Sequence, residues 1–598
     1  MSSRTLFNFV LPLAVASSLS VSSPLTANDS VEASDTLVVT AARAEQSQSD
    51  SLSSVTVISR AEIERSQAPD LIELLRMEAG LDISRTGGPG GQTSVFLRGS
   101  NSNHTLVLID GVRVAAAGTG AFTWEILDPS LIERIEIVRG PRAARWGSDA
   151  IGGVIQIFTR QPERWSARLA AGSYGDRSLS VTGGNDQFSI SASRREADGF
   201  SAQNPNGFAF DPDDDGLERT GAAGTARFDL GAGQLDLHAR IDQGEIEFDQ
   251  GESDFRNYSA GLDYQVELSS DWRLGAQLAT LGDRLETSTA FGESELTTDR
   301  IQAAVQFEHM LTPELRWITG VDAWDEDGES RGSWEDDRNN LGAWTGIDGR
   351  HGQLDYDAGL RIDEDSEFGS EVTGSLGLGW NLSDTIRLTA SAGRGFRAPT
   401  FNQLFSPGFF GSFAGNPDLD PETSRSIELG LQLQPSAGQR LTLNLFDTAI
   451  DDLIDFAGVD FQAINIRRAD IRGAELIHEY QSGNWRLNSQ GSWLDSEDRE
   501  SGQELLRRAR YKASSRLDYL FENGAWVGTE LVHVGQRQDI AQQTLASYTL
   551  LNVSAGMNLA DQWRIEGRVD NLADRSYEPL IGFNAPERAI YVGLNWSR

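Results

Sequence analysis

Three carboxylates at alternate positions form the first group of residues with evident chemistry. Asp211, Asp213 and Asp215 lie in the run Asp-Pro-Asp-Asp-Asp-Gly of residues 211–216. In a turning loop, this spacing lets several oxygens converge on one hard cation such as calcium. The run resembles the start of an EF-hand, but Ala222 stands at the twelfth position, where that motif has Glu, and no flanking helices are predicted. An EF-hand is therefore excluded, while a calcium loop and a solvated acidic loop both stay open.

A glycine-rich segment, residues 87–94, is the second candidate for a site. Its sequence is Gly-Gly-Pro-Gly-Gly-Gln-Thr-Ser. Glycine allows the backbone to approach a large ligand closely. Ordinary turn chemistry explains these glycines equally well.

Recognisable catalytic motifs are missing from the sequence. We find no Gly-x-Ser-x-Gly, no phosphate loop and no His-Glu-x-x-His, because His478-Glu479 lacks a second histidine. We therefore predict that the protein is not an enzyme and needs no organic cofactor. The chain has no cysteine, which excludes disulfides and thiolate metal sites and suits an exported protein.

The composition points away from nucleic acid and from disorder. A formal charge of −38 should repel nucleic acid. The chain nevertheless has 14 Trp, 26 Phe and 61 Gly, which argues against a disordered acidic protein. Acidic loops above a barrel fit this composition better.

The N-terminal part of the chain divides into three segments. Residues 1–27 are typical of a signal peptide, with Arg4, an apolar stretch from Leu6 to Leu19 and a small-residue exit near Ala27. Residues 28–50 are polar and predict a flexible lead. Residues 51–160 predict a compact mixed α/β domain.

That α/β domain has recognisable elements. Helical spacing covers Ala61 to Met77, with a helix start signalled by Pro69. Short strands are predicted at residues 55–58, 95–97, 106–109, 132–138 and 154–158.

Residues 163–598 have a different pattern. Segments of about ten residues alternate apolar and polar side chains and are separated by Gly, Asn, Asp and Ser. No stretch of about 18 apolar residues follows the signal, so a transmembrane helix is not predicted. A soluble β-sandwich also alternates, but rarely needs so many residues in one unit. At roughly 20 residues per strand and connection, we predict an all-β transmembrane barrel of about 22 antiparallel strands.

Aromatic residues near the predicted strand ends support this interpretation. Together they would form the interfacial belts of a membrane barrel: Trp272, Trp317, Trp485, Trp493, Trp526, Trp563 and Tyr591.

Several motifs carry a family resemblance. Residues 96–99 (Phe-Leu-Arg-Gly), 106–113 (Leu-Val-Leu-Ile-Asp-Gly-Val-Arg) and 139–155 are similar to the plug domain of TonB-dependent outer-membrane receptors. Residues 396–400 (Phe-Arg-Ala-Pro-Thr) and 570–577 resemble landmarks of their barrels. The resemblance covers nearly the whole mature chain and is nearest to the cobalamin (vitamin B12) receptors of this family.

The resemblance implies a fold, a compartment and partners. The α/β domain is expected to be a plug inside the lumen of the barrel. We expect a monomer that contacts outer-membrane lipid in a Gram-negative bacterium, binds TonB with its energising inner-membrane complex, and binds no nucleic acid.

A short strand-prone segment in the lead resembles a TonB box. Its residues are Asp35, Thr36, Leu37, Val38, Val39, Thr40 and Ala41. A mobile extended segment can add to the edge of a partner's sheet, where main-chain hydrogen bonds supply affinity. Force on this box would remodel the plug and open a path.

The resemblance also implies ligands. Calcium is expected at the acidic loops, on Asp211, Asp213, Asp215, Asp249 and Asp254. Cobalamin contacts match a second set of residues: Gln92, Ser94, Asn101, Thr119, Gly120 and Arg508. For Arg508, pairing with a carboxylate of the plug is an equal alternative.

The predicted function is calcium-assisted, TonB-dependent import of cobalamin or another corrinoid. Import of a ferric siderophore is the alternative, because the aromatic run around Phe409 and Phe413 suits catecholates. Haem import is disfavoured, because residues 400–415 contain no histidine. A passive porin would have neither plug nor box.

Overall fold

The computed structural model describes residues 38–39, 43, 46–408, 412–457 and 461–598. The predicted signal peptide lies outside the described residues. So do Asp35, Thr36, Leu37, Thr40 and Ala41 of the predicted box.

The N-terminal domain is a small mixed sheet with short helices. Its sheet has the strand order β3-β8-β9-β6-β7, in which β6 and β9 are parallel and the other neighbours are antiparallel. The elements before the barrel are β1 (Val38–Val39), β2 (Gln46–Ser47), β3 (Val55–Ser59), α1 (Arg60–Ser66), α2 (Leu71–Arg76), β4 (Leu81–Arg85), β5 (Thr93–Leu97), β6 (Thr105–Ile109), β7 (Val112–Arg113), β8 (Ile132–Arg139), α3 (Ala143–Trp146) and β9 (Gly153–Thr159). Short 3-10 turns lie at Ser102–His104, Trp124–Ile126 and Pro129–Leu131.

The helical spacing of residues 61–77 corresponds to two helices instead of one. The chain leaves α1 through Gln67, whose φ of 55° is left-handed. Pro69 cannot donate a backbone hydrogen bond, so it does not continue α1. Asp70 then caps α2 by accepting a hydrogen bond from the Glu73 amide at 3.0 Å.

The remaining strands close into the predicted barrel. Twenty-two antiparallel strands run in chain order, apart from an outer hairpin of β29 and β30, and β33 pairs with β10. The barrel strands are β10 (Ser166–Gly172), β11 (Arg177–Gly184), β12 (Phe188–Phe200), β13 (Asp215–Leu230), β14 (Gly233–Phe248), β15 (Gly251–Glu267), β16 (Trp272–Thr289), β17 (Gly292–Thr312), β18 (Leu315–Ser330), β19 (Trp334–His351), β20 (Leu354–Asp365), β21 (Gly369–Ser383), β22 (Ile386–Arg397), β23 (Glu422–Ser436), β24 (Gln439–Ala457), β25 (Gln462–Ser482), β26 (Trp485–Asp498), β27 (Tyr511–Leu520), β28 (Trp526–Val534), β31 (Tyr548–Ala560), β32 (Trp563–Asp570) and β33 (Ala589–Ser597). The outer hairpin is β29 (Arg537–Asp539) and β30 (Gln543–Leu545), joined by a 3-10 turn at Ile540–Gln542, and α4 (Phe401–Phe405) lies in another outer connection.

Alternation along the strands explains why the barrel forms. On β23, Ile427 and Leu429 are exposed on the outside, whereas Ser426 and Glu428 are buried toward the lumen. A strand places successive side chains on opposite faces, so the outer face is apolar and the inner face is polar. None of the helices in the described part of the chain is long and apolar enough to cross a membrane.

The aromatic residues predicted for the interfacial belts do not all face the membrane. Trp485 and Trp563 begin their strands and are exposed on the outside, as an interfacial belt requires. Trp526 also begins a strand but is buried, and the prediction of a belt position for it is wrong. Its ring lies against the backbone of Gly556, the residue paired with it on β31.

The two ends of the barrel differ in their connections. At one end, the connections are short turns, and the described part of the lead lies near this end. At the other end, longer connections cover residues 201–214, 398–421, 499–510, 535–547 and 571–588. The longer connections define the outer end, where a ligand would arrive.

Candidate functional site

The described part of the predicted box is one strand of a two-stranded antiparallel sheet. Val38 and Val39 pair with Gln46 and Ser47 as an antiparallel two-stranded sheet. A strand that already has a partner within its own chain must leave that partner before it adds to another sheet. The pairing is only two residues long, so little free energy holds it.

Arg43 lies between these two strands and anchors the lead to the barrel. Its guanidinium forms an ion pair with Asp322 at 2.8 Å. The same group lies 4.5 Å from the ring centre of Trp146 on the plug and 5.4 Å from that of Trp344 on β19. Its carbonyl oxygen accepts a hydrogen bond from Gln306 at 2.9 Å. Burial lowers the pKa of Arg43 to about 10, so the side chain remains charged at neutral pH.

A second arginine, Arg98, joins the plug to two glutamates of the barrel wall. Arg98 donates to Glu428 at 2.9 Å and to Glu475 at 2.7 Å, and all three side chains are buried. Arg139 lies 3.8 Å from Glu475. Charged hydrogen bonds of this kind are strong, and burial makes an unpaired member costly.

The glycine-rich loop at the plug apex packs directly against the acidic outer loop. A Cβ on Gly87, whose φ is +83°, would lie 2.5 Å from Ala202 Cα, and one on Gly88 would lie 2.8 Å from the Asp215 carbonyl oxygen. Both positions therefore need glycine for close approach between plug and barrel. The two predicted sites are thus neighbours in space.

The predicted cobalamin contacts on the plug lie at its outer surface. Gln92 and Thr119 are exposed, and Ser94, Asn101 and Gly120 are partly exposed. Their role as ligand contacts stays a prediction.

Gly120 contacts the barrel directly, whereas Asn101 is hydrogen-bonded to His104 of the plug. The backbone of Gly120, with φ of +68°, is so close to Thr400 that a Cβ would lie 2.7 Å from its methyl group. The Asn101 backbone N–H donates a hydrogen bond to His104 Nδ1 at 3.2 Å.

His104 connects this apex to the barrel wall. Because its Nδ1 accepts from Asn101, its Nε2 donates to Glu422 at 2.9 Å, and both side chains are fully buried. Glu422 also accepts from the Ile454 amide at 2.7 Å and from Arg397. The ligand face is therefore fixed through a buried histidine to three barrel strands.

Arg508 is occupied by the plug. It donates to the Gly99 carbonyl at 3.1 Å, the Ser100 carbonyl at 3.3 Å and the Asn101 side-chain oxygen at 2.6 Å. Its guanidinium lies 4.1 Å from the ring centre of Phe96, and burial lowers its pKa to about 10. Arg508 thus pairs with the plug, but through carbonyl and amide oxygens and not through the carboxylate that the alternative predicted.

Four of the five predicted calcium ligands lie together. The Asp249 carboxylate accepts from the Asp211 amide at 3.0 Å, and the Asp215 carboxylate accepts from the Ala202 amide at 2.6 Å. The negative charge of Asp213 is close enough to repel the carboxylates of both Asp215 and Asp249. Burial, reinforced by this charge, raises the pKa of Asp249.

Two further acidic residues, Glu247 and Asp254, differ in their relation to this group. Glu247, which was not predicted from the sequence, accepts a hydrogen bond from the Gly216 backbone amide at 3.0 Å. Its negative charge also repels the Asp215 carboxylate. Asp254 pairs in register with Glu245 and is exposed on the outer face of β15, apart from the other four. Among the described residues, no three or more His, Asp or Glu side chains are already arranged to hold a metal. Carboxylate oxygens are hard ligands that suit calcium, but those of Asp215, Asp249 and Glu247 accept hydrogen bonds from backbone amides in this structure.

Comparison with known proteins gives a consistent result. Residues 47–154 match the model of the TonB-dependent receptor plug domain, and residues 164–572 match the model of the TonB-dependent receptor-like β-barrel. A vitamin B12 transporter, BtuB, of Vibrio vulnificus (strain YJ016) is 31% identical, over 98% of this chain and 98% of its own.

Two solved structures show the same fold. A mutant ferric enterobactin receptor, PfeA, of Pseudomonas aeruginosa has a TM-score of 0.79 at 18% identity, covering 94% of this chain and 100% of that one. The copper transporter OprC has a TM-score of 0.78 at 19% identity, covering 91% and 98%.

Proposed function

The chain belongs to the TonB-dependent receptor family of the Gram-negative outer membrane, and on this premise we propose that it imports cobalamin or a related corrinoid. Members of this family are receptors and transporters that bind a ligand and interact with TonB. The observation that carries the proposed cargo is the 31% identity with a vitamin B12 transporter over 98% of both chains.

The proposed ligand face is the plug apex. Gln92, Ser94, Asn101, Thr119 and Gly120 offer uncharged donors, acceptors and accessible backbone. Such a surface suits a large ligand that carries amide groups at its edge, as corrinoids do. Arg508 then supports Asn101 from behind instead of contacting the ligand.

Calcium is proposed to order the acidic outer loop. Asp211, Asp213, Asp215 and Asp249 are close to one another, so their negative charges repel, and a divalent cation would offset that repulsion. Because the loop packs on Gly87 and Gly88, a change in its order would reach the ligand face. Calcium is thereby expected to raise the affinity for the ligand.

Energy is proposed to enter through the segment 35–41. TonB would pair with this segment by strand addition, which competes with the short internal pairing of Val38 and Val39. Pulling would then withdraw Arg43 from Asp322.

A ferric siderophore remains the second candidate because of an aromatic group at the outer mouth. Phe413 is half exposed, and its ring centre lies 5.8 Å from that of Phe456 and 5.5 Å from that of Phe461. Stacked rings of this kind suit a catecholate ligand.

Equilibrium titration of the purified protein distinguishes the two cargoes. We expect cyanocobalamin to bind at micromolar concentration or below, more tightly with calcium than with a chelator, and ferric enterobactin not to bind. Absence of cyanocobalamin binding in both conditions would overturn the proposed cargo, and binding of ferric enterobactin instead would favour the alternative.

A matched pair of variants tests the calcium ligands. Asp249→Asn should remove most of the effect of calcium on cyanocobalamin affinity, because one converging carboxylate is lost. Asp254→Asn removes the same charge from the outer face of β15 and should preserve the calcium effect. Equal effects of the two substitutions would contradict the proposed site.

A further inference from the structure

A cavity of about 400 Å³ lies between the plug and the barrel wall at the end of the barrel that has short turns. Its plug side includes Arg142, just before α3, and Arg145 within α3. Its wall side consists of parts of β17 to β21, and residues 50–53, where the lead meets the plug, also border it. This size is within the range of ligand sites in proteins. The cavity lies far from the plug apex, so it is distinct from the proposed ligand face.

The two arginines at this cavity lack partners of their own. Arg142 Nε and Arg145 Nη1 are buried atoms with no hydrogen-bond partner among the described residues. Arg145 is only 8% exposed, and within the described part of the chain neither arginine forms an ion pair. Arg85 of the plug is similarly buried but pairs with Asp70 at 2.8 Å. A buried guanidinium without a counterion is costly, so Arg142 and Arg145 favour the entry of an anion.

The barrel wall leaves room for the Arg145 guanidinium. A Cβ on Gly346 would lie 3.0 Å from Arg145 Cζ, and one on Gly359 would lie 3.8 Å from Arg145 Nε. The guanidinium also lies 5.8 Å from the ring centre of Trp344. Glycine at position 346 of β19 therefore lets this charged group come close to the wall where it lines the cavity.

Asp357 on β20 is a carboxylate that lines the same cavity and has no ion-pair partner among the described residues. It lies opposite Asp348 in the register of β19 and β20, and Asp348 is already paired with Arg316 at 3.1 Å. Arg142 and Arg145 attract Asp357 from a longer distance, but two guanidiniums then share one carboxylate. The other carboxylates at the cavity are paired with other arginines or exposed at its rim: Asp50, Asp355 and Glu314. One positive charge therefore stays uncompensated.

We propose that this cavity binds inorganic phosphate in its monohydrogen form. The phosphate oxygens would accept hydrogen bonds from Arg142 and Arg145, because a guanidinium matches the geometry of this anion. The one O–H of the anion would donate to Asp357. The bound phosphate would thereby join α3 of the plug to β20 of the wall, and the remaining space would hold water. The site does not depend on the identity of the imported cargo.

Asp357 makes the proposed site selective among anions of similar shape. Sulfate is also tetrahedral, but it carries no O–H near neutral pH and cannot donate to a carboxylate. In a sulfate complex, the Asp357 carboxylate would face an oxygen of the same charge, which is repulsive at close range. Phosphate should therefore bind more tightly than sulfate.

Equilibrium dialysis of the purified full chain tests this selectivity without any substitution. Radiolabelled inorganic phosphate in chloride buffer near neutral pH should bind saturably, at about one ion per chain. Unlabelled sulfate should compete less well than unlabelled phosphate by about tenfold or more, since an acceptor without a donor costs at least that much. Absence of saturable phosphate binding, or equal competition by sulfate, would overturn the proposal.

A matched pair of arginine variants tests the location. Arg145→Gln should weaken phosphate binding by about tenfold or more, because a charged hydrogen-bonding group is lost. Arg564→Gln removes the same charge from the start of β32, near a short turn but outside the cavity, and should leave the affinity unchanged. Equal losses in the two variants would overturn the assigned site.

Asp357→Asn tests the origin of the selectivity. The substitution removes the acceptor for the phosphate O–H and supplies an amide that can donate to either anion. Sulfate should then compete as well as phosphate. The comparison uses two anions on one folded protein, so a general loss of stability does not produce this result. An unchanged preference for phosphate would overturn the role of Asp357.

Discussion

Arg98 and Arg43 are both held by barrel carboxylates, but the two sites are built differently. Arg98 has two glutamate partners, and the side chains of Arg98, Glu428 and Glu475 are 6%, 9% and 0% exposed. Arg43 has one carboxylate partner, Asp322, and the two side chains are 12% and 9% exposed. Much of what holds Arg43 is contact with the faces of two indole rings.

This difference assigns different tasks to the two sites. A buried charge cannot leave its partners without a penalty of several kcal/mol. Arg43 can leave at a lower cost, because Asp322 keeps a second partner, Arg361 at 2.7 Å, and the cation–π contacts of Arg43 each contribute only about 0.5–2 kcal/mol. The Arg98 cluster thus keeps the plug seated, and the Arg43 anchor is the contact that a pulling force can release.

The largest effect is expected from Arg98→Ala. It leaves Glu428 and Glu475 buried without their main partner and should lower the free energy of plug unfolding by about 3–5 kcal/mol. Urea titration with proteolysis of the plug as readout measures this. Arg588→Ala breaks an exposed pair with Asp574 and should change stability by no more than about 1 kcal/mol. A similar loss in both variants would remove the distinction between buried and exposed pairs.

A smaller effect is expected from His104→Ala, whose cost should lie between those of the buried Arg98 pair and the exposed Arg588 pair. The substitution removes the hydrogen bond from the Asn101 backbone amide and the bond to the Glu422 carboxylate, and it should cost about 1–3 kcal/mol. Because Asn101 lies on the proposed ligand face, cyanocobalamin affinity should fall together with stability. His351→Ala, at an exposed position near a short turn, should change neither quantity. Unaltered affinity in His104→Ala would separate the histidine from the ligand face.

The smallest change in stability is expected from Arg43→Ala, although its effect on motion should be large. Loss of the anchor costs about 1–2 kcal/mol and should increase the mobility of a spin label on a cysteine that replaces Thr40. Arg350→Ala breaks a second ion pair of the lead, with Asp50 at 2.9 Å, and should leave that label unchanged. Equal mobility in both variants would show that Arg43 does not restrain the lead.

The barrel was predictable because its signal is repeated in every strand. Alternation with a period of two, over more than four hundred residues, is compatible with few other folds. At roughly 20 residues per strand and connection, that length predicts about 22 strands, the number observed. The break between α1 and α2 was less clear, because helical spacing continues through Gln67 and Pro69 while the backbone does not.

The contacts of the site were harder to predict from one sequence. Arg98 and Glu475 are 377 residues apart, and no local pattern indicates that they meet. Asp254 was hard to place for another reason. Whether its side chain faces the group of acidic residues or the outside depends on the register in which β14 and β15 pair. Arg43 could have been found from its position just after the box.

The Val38→Pro variant tests most directly whether the protein is an importer driven through its lead. Proline lacks the backbone amide needed for strand addition, and residue 38 lies far from the proposed ligand face. Uptake of labelled cyanocobalamin and equilibrium binding are measured on the same variant. The account predicts that uptake falls to the level of cells without the protein while binding is unchanged. Uptake equal to that of the natural protein would contradict it.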